Sequence, residues 1–171
     1  MSGHEITVRP FTADEWRRFR EVRLRALRAD PGVFSSNHAR EAAKDEAHWR
    51  ARLSDPQCGV FAVLDGDEVI GMTGVYVPAD DPTSAGLWGS WLEPAHRRLG
   101  LSHRMYAARI DWARAHPTVE RVLVSHRASN VASMQANQRH GFVLTGRATR
   151  EWPDGRTEDE VCYELRLRDP R

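Results

Sequence analysis

One loop of the sequence combines residue types that bind phosphate groups. A strand-like segment ends at Leu92, and a helical pattern begins within the run Arg97-Arg98-Leu99-Gly100-Leu101-Ser102. The first N–H groups of a helix have no partner within it and lie at the positive end of its dipole, which suits a phosphate or pyrophosphate. Gly100 allows close approach to the backbone, and the two arginines add charge-assisted contacts. An ordinary strand-to-helix turn with two solvated arginines accounts for the same residues, so this loop alone leaves its chemistry open.

A second segment with recognisable residue types follows the apolar stretch 122–125. Asn130 precedes a helical pattern that ends at Gly141-Phe142. Asn is a favoured helix N-cap, contributing about 1 kcal/mol, and Gly commonly ends a helix, so each residue alone has a structural explanation. The order is more informative: strand, Arg-x-x-Gly loop, long helix, strand, Asn-capped helix, Gly-Phe, strand.

The composition argues against several classes of protein. The 171 residues fit one domain, which we assign to residues 1–171, and 25 Lys and Arg against 24 Asp and Glu give a net charge of +1. A nearly neutral chain without basic runs is not expected to bind nucleic acid or to carry a polybasic membrane anchor. No apolar stretch approaches the length that spans a bilayer. The sequence leaves a homodimer open.

The numbers and spacing of cysteine and histidine residues indicate the redox compartment and argue against disulfides and a metal site. Cys58 and Cys162 are too few for a disulfide framework, and the start Met-Ser-Gly-His-Glu lacks a signal-peptide pattern. We therefore expect a cytoplasmic protein in a reducing compartment. The 8 His and 2 Cys show no metal-ligand spacing, so no metal is expected. No G-x-S-x-G elbow supports serine hydrolysis.

The elements that position these residues follow from periodicity and turn signals. The sequence predicts an α+β fold with a mixed sheet, in the order β-α-α-β-β-β-α-β-α-β-β. An Asp-Gly turn at 65–66 predicts a hairpin, and Thr12 begins a capping box. The predicted strands are residues 5–9, 60–64, 69–77, 86–92, 121–125, 142–152 and 160–167. The predicted helices are residues 12–29, 40–53, 97–116 and 130–140.

With these elements in order, the sequence resembles the GNAT superfamily of acyl-CoA-dependent N-acyltransferases over nearly its whole length. Residues 97–102 are similar to the family's Arg/Gln-x-x-Gly-x-Gly/Ala loop, with Ser102 in place of Gly or Ala, and residues 130–142 are similar to its second motif. The resemblance implies a splayed mixed sheet with helices on both faces. It also implies acetyl-CoA as co-substrate, in the opening between the strands that contain Leu92 and residues 122–125.

The resemblance also implies roles for individual residues. The backbone at Leu92 and just after it would hold the pantetheine arm and the acetyl carbonyl. The amides of residues 97–102 would hold the pyrophosphate, and the Asn130 side chain would reach the pantetheine. The expected acetyl-CoA-binding residues are Leu92, Glu93, Arg97, Arg98, Leu99, Gly100, Leu101, Ser102 and Asn130.

The catalytic groups are less clear from the sequence. Asn137 stands where many family members carry a Tyr that protonates the leaving thiolate, and an amide cannot donate a proton at neutral pH. Asn137 or a water can still hydrogen-bond a thiolate, which leaves acceptably because its thiol has a pKa of about 8.5. For the base that takes the amine proton, Glu93 and Ser125 are candidates, Ser125 only through water, and His126 is a further one. A surface role explains Glu93 equally well.

The acceptor pocket is expected on poorly patterned loops, where binding residues often lie. The turn after the first helix carries Phe34 and His38, and the loop near the last hairpin carries Glu151 and Trp152, with Asp154 beside them. Carboxylates there would attract a cationic acceptor, and Trp152 would pack on it. A solvated hairpin end explains the second group equally well.

Together these observations predict an N-acetyltransferase that moves an acetyl group from acetyl-CoA to a primary amine of a small molecule. The amine would attack directly in a ternary complex, since neither cysteine has surroundings that activate a thiol. Two alternatives remain open at this point. One is acetylation of a protein N-terminus or lysine, and the other is a non-catalytic acyl-CoA-binding module.

Overall fold

The computed structural model describes residues 5–168, which form one seven-stranded sheet with helices on both faces. The strand order is β1-β2-β3-β4-β5-β7-β6, and every neighbouring pair is antiparallel except the parallel pair β4–β5. The strands are β1 (Ile6–Pro10), β2 (Cys58–Asp65), β3 (Glu68–Tyr76), β4 (Ser84–Leu92), β5 (Arg121–Arg127), β6 (Val143–Glu151) and β7 (Thr157–Arg166). The predicted mixed α+β fold is confirmed, as is the predicted order of elements except that three α-helices, and not two, lie between β1 and β2.

Five α-helices cover the sheet: α1 (Trp16–Ala29), α2 (His38–Ala42), α3 (Glu46–Ser54), α4 (Leu101–Ala115) and α5 (Val131–Arg139). Successive side chains of a strand point to opposite faces, and β2 shows which helices lie on each face. Its Val60, Ala62 and Leu64 pack with α1 and α3, whereas Phe61 and Val63 pack with α4. The core is therefore divided by the sheet, and α4 and α5 share one face. None of the described helices is both long and apolar enough to cross a membrane.

Two predicted helices need correction. The single helix expected over residues 40–53 is wrong, because the chain forms α2 and then starts again at α3, where the Asp45 side chain accepts the amide of His48 at 2.9 Å. The helix expected from Arg97 begins at Leu101 instead. Arg98 and Gly100 have φ values of 64° and 73°, which a right-handed helix cannot contain, so residues 97–100 form a loop.

The parallel pair β4–β5 opens the sheet. It is paired only from Ser84–Gly86 to Arg121–Leu123, although β4 continues to Leu92 and β5 to Arg127. In β4 a bulge places two residues opposite Thr73 of β3, and the bulged Gly89 has a φ of 66°. A bulge bends its strand and increases the local twist. The last residues of β4 therefore leave β5 and form one wall of a cleft.

Candidate active site

A cleft of about 270 Å³ lies where β4 and β5 separate, with helices α4 and α5 along it. Ser90, Trp91 and Leu92 contribute the strand wall. Helix α4 contributes Ser102, Met105, Tyr106 and Arg109, and the start of α5 contributes Asn130 and Ser133. Asp30 and Val33, from the turn after α1, lie at the same cleft. The cleft therefore joins the two motifs found in the sequence.

The loop before α4 presents unpaired backbone donors beside this cleft. In the described structure the amides of residues 98–102 have no backbone acceptor, because α4 begins only at Leu101. Arg98 and Gly100 both adopt positive φ, which turns successive amides toward one side, an arrangement that binds anions. A Cβ built on Gly100 would have no heavy atom within 4 Å, so open space adjoins the backbone there. The loop has the shape of an anion cradle.

Arg97 does not serve this cradle in the way its charge suggests. Its Nε donates to the Leu92 carbonyl at 2.9 Å, and its Nη2 donates to Asp30 Oδ2 at 2.7 Å. The same Asp30 oxygen accepts the indole N–H of Trp91 at 2.7 Å. Arg97 thus ties the end of β4 to the turn after α1 and holds a carboxylate at the mouth of the cleft.

Asn130 forms the N-cap of α5, as predicted. Its Oδ1 accepts the amide of Ser133 at 3.1 Å. Because this bond uses only the oxygen, the side-chain nitrogen is left to donate to a molecule in the cleft that Asn130 lines. One side chain can therefore stabilise the helix and bind a carbonyl.

Inside the cleft, a tyrosine contacts the predicted Asn137. Tyr106 lines the cleft, and its hydroxyl donates to Asn137 Oδ1, with both residues buried. Burial raises the pKa of the Tyr106 phenol, and the nearby positive charge of Arg109 opposes that rise. Arg109 is 2% exposed, and burial lowers its pKa to about 10. Asn137 itself does not line the cleft but supports a residue that does.

The two candidate bases lie outside the cleft lining. The Glu93 carboxylate is 3.1 Å from Arg25 and 3.6 Å from His96 Nδ1, and Ser125 Oγ donates to Glu160 at 2.6 Å. His126 is buried elsewhere, with its Nε2 3.3 Å from the Tyr163 hydroxyl. The roles of Glu93 and Ser125 stay predictions, and each would need a water to connect it to the cleft.

The four predicted acceptor residues also lie outside the residues that line the cleft. Phe34 is buried in the core with the Arg23 guanidinium 4.9 Å from its ring centre, and His38 lines a separate groove on the outer face of α1. Trp152 is buried and donates to the Glu158 carbonyl at 3.1 Å, and Glu151 is exposed at the end of β6. Their roles remain predictions.

Sequence reasoning missed Tyr106, Arg109 and Asp30. A usable signal existed for the first two, because they fall on the helical face of α4 that also carries the buried Leu101 and Met105. Asp30 lies in the turn that ends α1. No signal in the sequence showed that Trp91 and Arg97 would bind it, since 61 and 67 positions separate them from it.

Within the part of the chain that the structure describes, the cleft has neither a cluster of metal-ligating side chains nor a cysteine. Among residues 5–168, no group of three or more His, Cys, Asp or Glu side chains is placed to hold a metal ion. Cys58 and Cys162 are free, and burial raises the pKa of the Cys58 thiol to about 11. Neither cysteine is among the residues that line the cleft.

Comparison with known proteins identifies the family. The model of the acetyltransferase (GNAT) family matches residues 16–142, and the chain belongs to this family. It is therefore a transferase of acyl groups, with acetyl-CoA as its co-substrate. No curated protein matches the chain in a search by sequence.

Solved structures with low sequence identity share the fold. The chain superposes on the Salmonella typhimurium protein yncA with acetyl-CoA at a TM-score of 0.78 and 18% identity, covering 96% of this chain and 95% of that one. Spermidine N-acetyltransferase of Vibrio cholerae, with CoA and spermine, superposes with a TM-score of 0.76 and 15% identity, covering 94% of this chain and 95% of that one. Ribosomal-protein-S5-alanine acetyltransferase of Vibrio fischeri superposes with a TM-score of 0.77 and 18% identity, covering 97% of this chain and 95% of that one. One fold thus serves a polyamine and a protein acceptor, so fold alone does not select between them.

Proposed function

We propose that this protein transfers an acetyl group from acetyl-CoA to a primary amine of a small molecule, by direct attack in a ternary complex. The observation that carries the proposal is one cleft that Asp30 and Asn130 both line, with the unpaired amides of residues 98–102 beside it. We call the part beside these amides the cradle end and the part at Asp30 the acceptor end. The cradle suits the pyrophosphate of a coenzyme, and a carboxylate suits a cationic amine.

The residues of the cradle end fit acetyl-CoA in three respects. The unpaired amides of residues 98–102 supply donors for a pyrophosphate, and Gly100 leaves space for it. The free nitrogen of Asn130 supplies a donor for a pantetheine carbonyl. The last residues of β4 have lost β5 as a partner strand, so their backbone is available on the cleft side.

Side chains from other elements hold the turn after α1, which carries Asp30. Arg127 donates to the Gly32 carbonyl at 2.9 Å and to Asp154 at 2.7 Å, which ties the turn after α1 to the hairpin β6–β7. Asp30 is held in turn by Trp91 and Arg97. These contacts fix the turn that carries Asp30 and Val33, which both line the cleft.

Proton movement at this end uses water and carboxylates. An alkylammonium has a pKa of about 10.4, so the bound amine must lose a proton before it attacks. Asp30 holds the ammonium near the cleft, and a water chain toward Glu93 carries the proton out. The cysteines take no part, because their thiols are protonated at neutral pH and lie away from the cleft.

The experiment is thiol release from acetyl-CoA with a panel of amines: polyamines, amino acids, aminoglycoside-like amines and short peptides. We expect release with at least one small amine, and Asp30→Asn should raise its KM about 10-fold or more while CoA binding by calorimetry stays within about 2-fold. Arg97→Gln is a matched control for the Asp30 site, since it removes the ion pair but keeps the carboxylate. Release with peptides alone would indicate a protein acetyltransferase. CoA binding without any release would indicate a binding module.

A further inference from the structure

Tyr106, which lines the cleft, is held by contacts on several sides. Its ring stacks on His140 with ring centres 4.0 Å apart and planes inclined by 8°, and it meets Phe142 edge-on at 5.9 Å. The hydroxyl donates to Asn137 Oδ1. Contacts with α5 and Phe142 therefore hold the phenol in one orientation beside the cleft that Tyr106 lines.

The Asn137 amide has an unused donor. Its side chain is 1% exposed, and its Nδ2 is buried without a hydrogen-bond partner in the described structure. An amide presents an acceptor on one side and a donor on the other, and a half-turn about its last torsion exchanges them. In the exchanged orientation Nδ2 would donate to the Tyr106 oxygen, and the phenol proton would be free to donate to another acceptor.

Arg109 places a positive charge beside this pair. Its Nε donates to the Met105 carbonyl at 3.1 Å, and its guanidinium carbon lies 4.7 Å from the centre of the Tyr106 ring. No carboxylate within residues 5–168 pairs with it. Buried charges are ordinarily paired, so a buried guanidinium that lines a cleft without a carboxylate partner suits a site where negative charge develops.

We propose that Tyr106 donates its proton to the thiolate that leaves in the transfer reaction, that Asn137 positions the phenol, and that Arg109 stabilises the negative charge. This inference rests on the proposed function. In the balanced reaction the C–N bond forms and the C–S bond breaks. The amine proton leaves through water, the phenol proton goes to sulfur, and a water returns a proton to Tyr106. Asn137, at the position where many relatives have Tyr, thus works with a tyrosine from the neighbouring helix.

Burial keeps the Tyr106 phenol protonated at neutral pH, against the positive charges around it. The charged and titratable groups nearest to it are Arg109 on α4 and Arg139 and His140 at the end of α5, and His103 stacks on His140. Burial raises its phenol pKa above the usual tyrosine value, against the opposing effect of Arg109. A donor with a raised pKa loses activity only at high pH, so no falling limb is expected near neutrality.

The first test removes one hydroxyl. Tyr106→Phe keeps the ring and its stacking, and we expect kcat to fall about 10- to 100-fold with acetyl-CoA affinity within about 2-fold. The matched control is Tyr163→Phe, since Tyr163 is also buried and hydrogen-bonded, to His126, but lies outside the cleft lining. The control should stay within 2-fold of the parent in kcat. Equal effects of the two variants would overturn the role of Tyr106.

The second test does not depend on turnover. Calorimetry compares CoA with desulfo-CoA at pH 7 and pH 9, a range in which a free thiol with a pKa of about 8.5 ionises. In the parent, we expect the preference for CoA to increase several-fold at the higher pH, because the phenol and Arg109 stabilise the thiolate. Tyr106→Phe should reduce the increase, because only Arg109 then stabilises the thiolate. An increase as large in this variant as in the parent, or no increase in the parent, would overturn the inference. Absence of CoA binding in the parent would instead reject the proposed function.

The third test addresses Asn137 as a positioning residue. Asn137→Ala removes both its donor and its acceptor, so kcat should fall with little change in KM. The CoA preference at pH 9 should also weaken, which a purely structural role for a buried amide would not cause. Retention of the full preference in Asn137→Ala would show that Tyr106 acts without it.

Discussion

The two ends of the cleft are built from different materials. The cradle end consists of backbone amides in a short loop, with one cap side chain from α5. The proposed acceptor end depends on side chains from separate elements. Asp30 binds Trp91 and Arg97, and behind the cleft lining Arg127 binds the Gly32 carbonyl and Asp154. Binding by backbone amides is altered by a substitution that changes the φ angle of the loop or fills the space beside it. A site of paired side chains changes when any partner is removed, so the two ends should respond to different substitutions.

The largest expected effect comes from bulk in the cradle. Gly100→Trp places an indole in the open space beside the unpaired amides, and we expect acetyl-CoA affinity to fall at least 100-fold by calorimetry. Gly100→Ala is the control, because it imposes the same strain of about 1–2 kcal/mol at a φ of 73° but adds only a methyl group. If both variants bind acetyl-CoA like the parent, the pyrophosphate is not bound at this loop.

A smaller effect is expected at Asn130. Asn130→Asp keeps the N-cap, because Asp caps a helix as well as Asn, but a carboxylate cannot donate to a pantetheine carbonyl. We expect about 10-fold weaker acetyl-CoA binding, or about 1.4 kcal/mol, with an unchanged melting temperature. Asn130→Ala should lose both properties, including about 1 kcal/mol of stability. A variant Asn130→Asp that is less stable but binds normally would make the residue structural only.

The contrast between the two ends also explains what could be predicted from the sequence. The cradle depends on consecutive residues, so Gly100 and Asn130 could be assigned from local patterns that determine turns and caps. The hydrophobic periods predicted the order of the elements. The acceptor end could not be assigned in this way, because the partners of Asp30 are 61 and 67 residues away and nothing in the local pattern identifies them.

Local patterns also failed for one helix and for one residue of the cleft. The pattern over residues 40–53 predicts one helix with Asp45 as a polar residue inside it. In the structure the Asp45 carboxylate caps α3, so a new helix begins there. Tyr106 was overlooked because an aromatic residue on a helix face is usually part of the core. Its hydroxyl acquires a role only when α5 brings Asn137 against it, which is a tertiary contact between residues 31 positions apart.

At the acceptor end, loss of Arg127 should alter amine binding more than coenzyme binding. Arg127→Gln releases the Gly32 carbonyl and Asp154, and we expect KM for the amine to rise several-fold while acetyl-CoA affinity stays constant. Arg121→Gln is the matched control, because Arg121 also lies on β5 and pairs with two carboxylates, Asp81 and Glu164, away from the cleft lining. An equal rise in KM for both variants would show that Arg127 has no specific role in amine binding.

Acid should weaken the same contacts. The Arg127 guanidinium lowers the pKa of Asp154, and the Ser129 and Arg127 donors lower the pKa of Glu158. A carboxyl group with a lowered folded-state pKa adds stability above its ordinary pKa and loses it as the pH falls through the lowered value. We expect the melting temperature of the parent to fall on acidification below about pH 4, the ordinary range of such groups, and less steeply in Arg127→Gln. Identical acid profiles would assign the acid sensitivity to other carboxylates.

The smallest effect is expected from the cysteines, which belong to neither end of the cleft. Burial raises the pKa of both thiols, so neither is a thiolate at neutral pH. Replacing Cys58 and Cys162 together by Ala should therefore leave turnover within a few-fold of the parent in the thiol-release assay. Direct attack by the amine requires this result, because no acyl group passes through the protein. Recovery of acetylated protein after incubation with acetyl-CoA alone, lost in the double variant, would replace direct attack with a two-step mechanism.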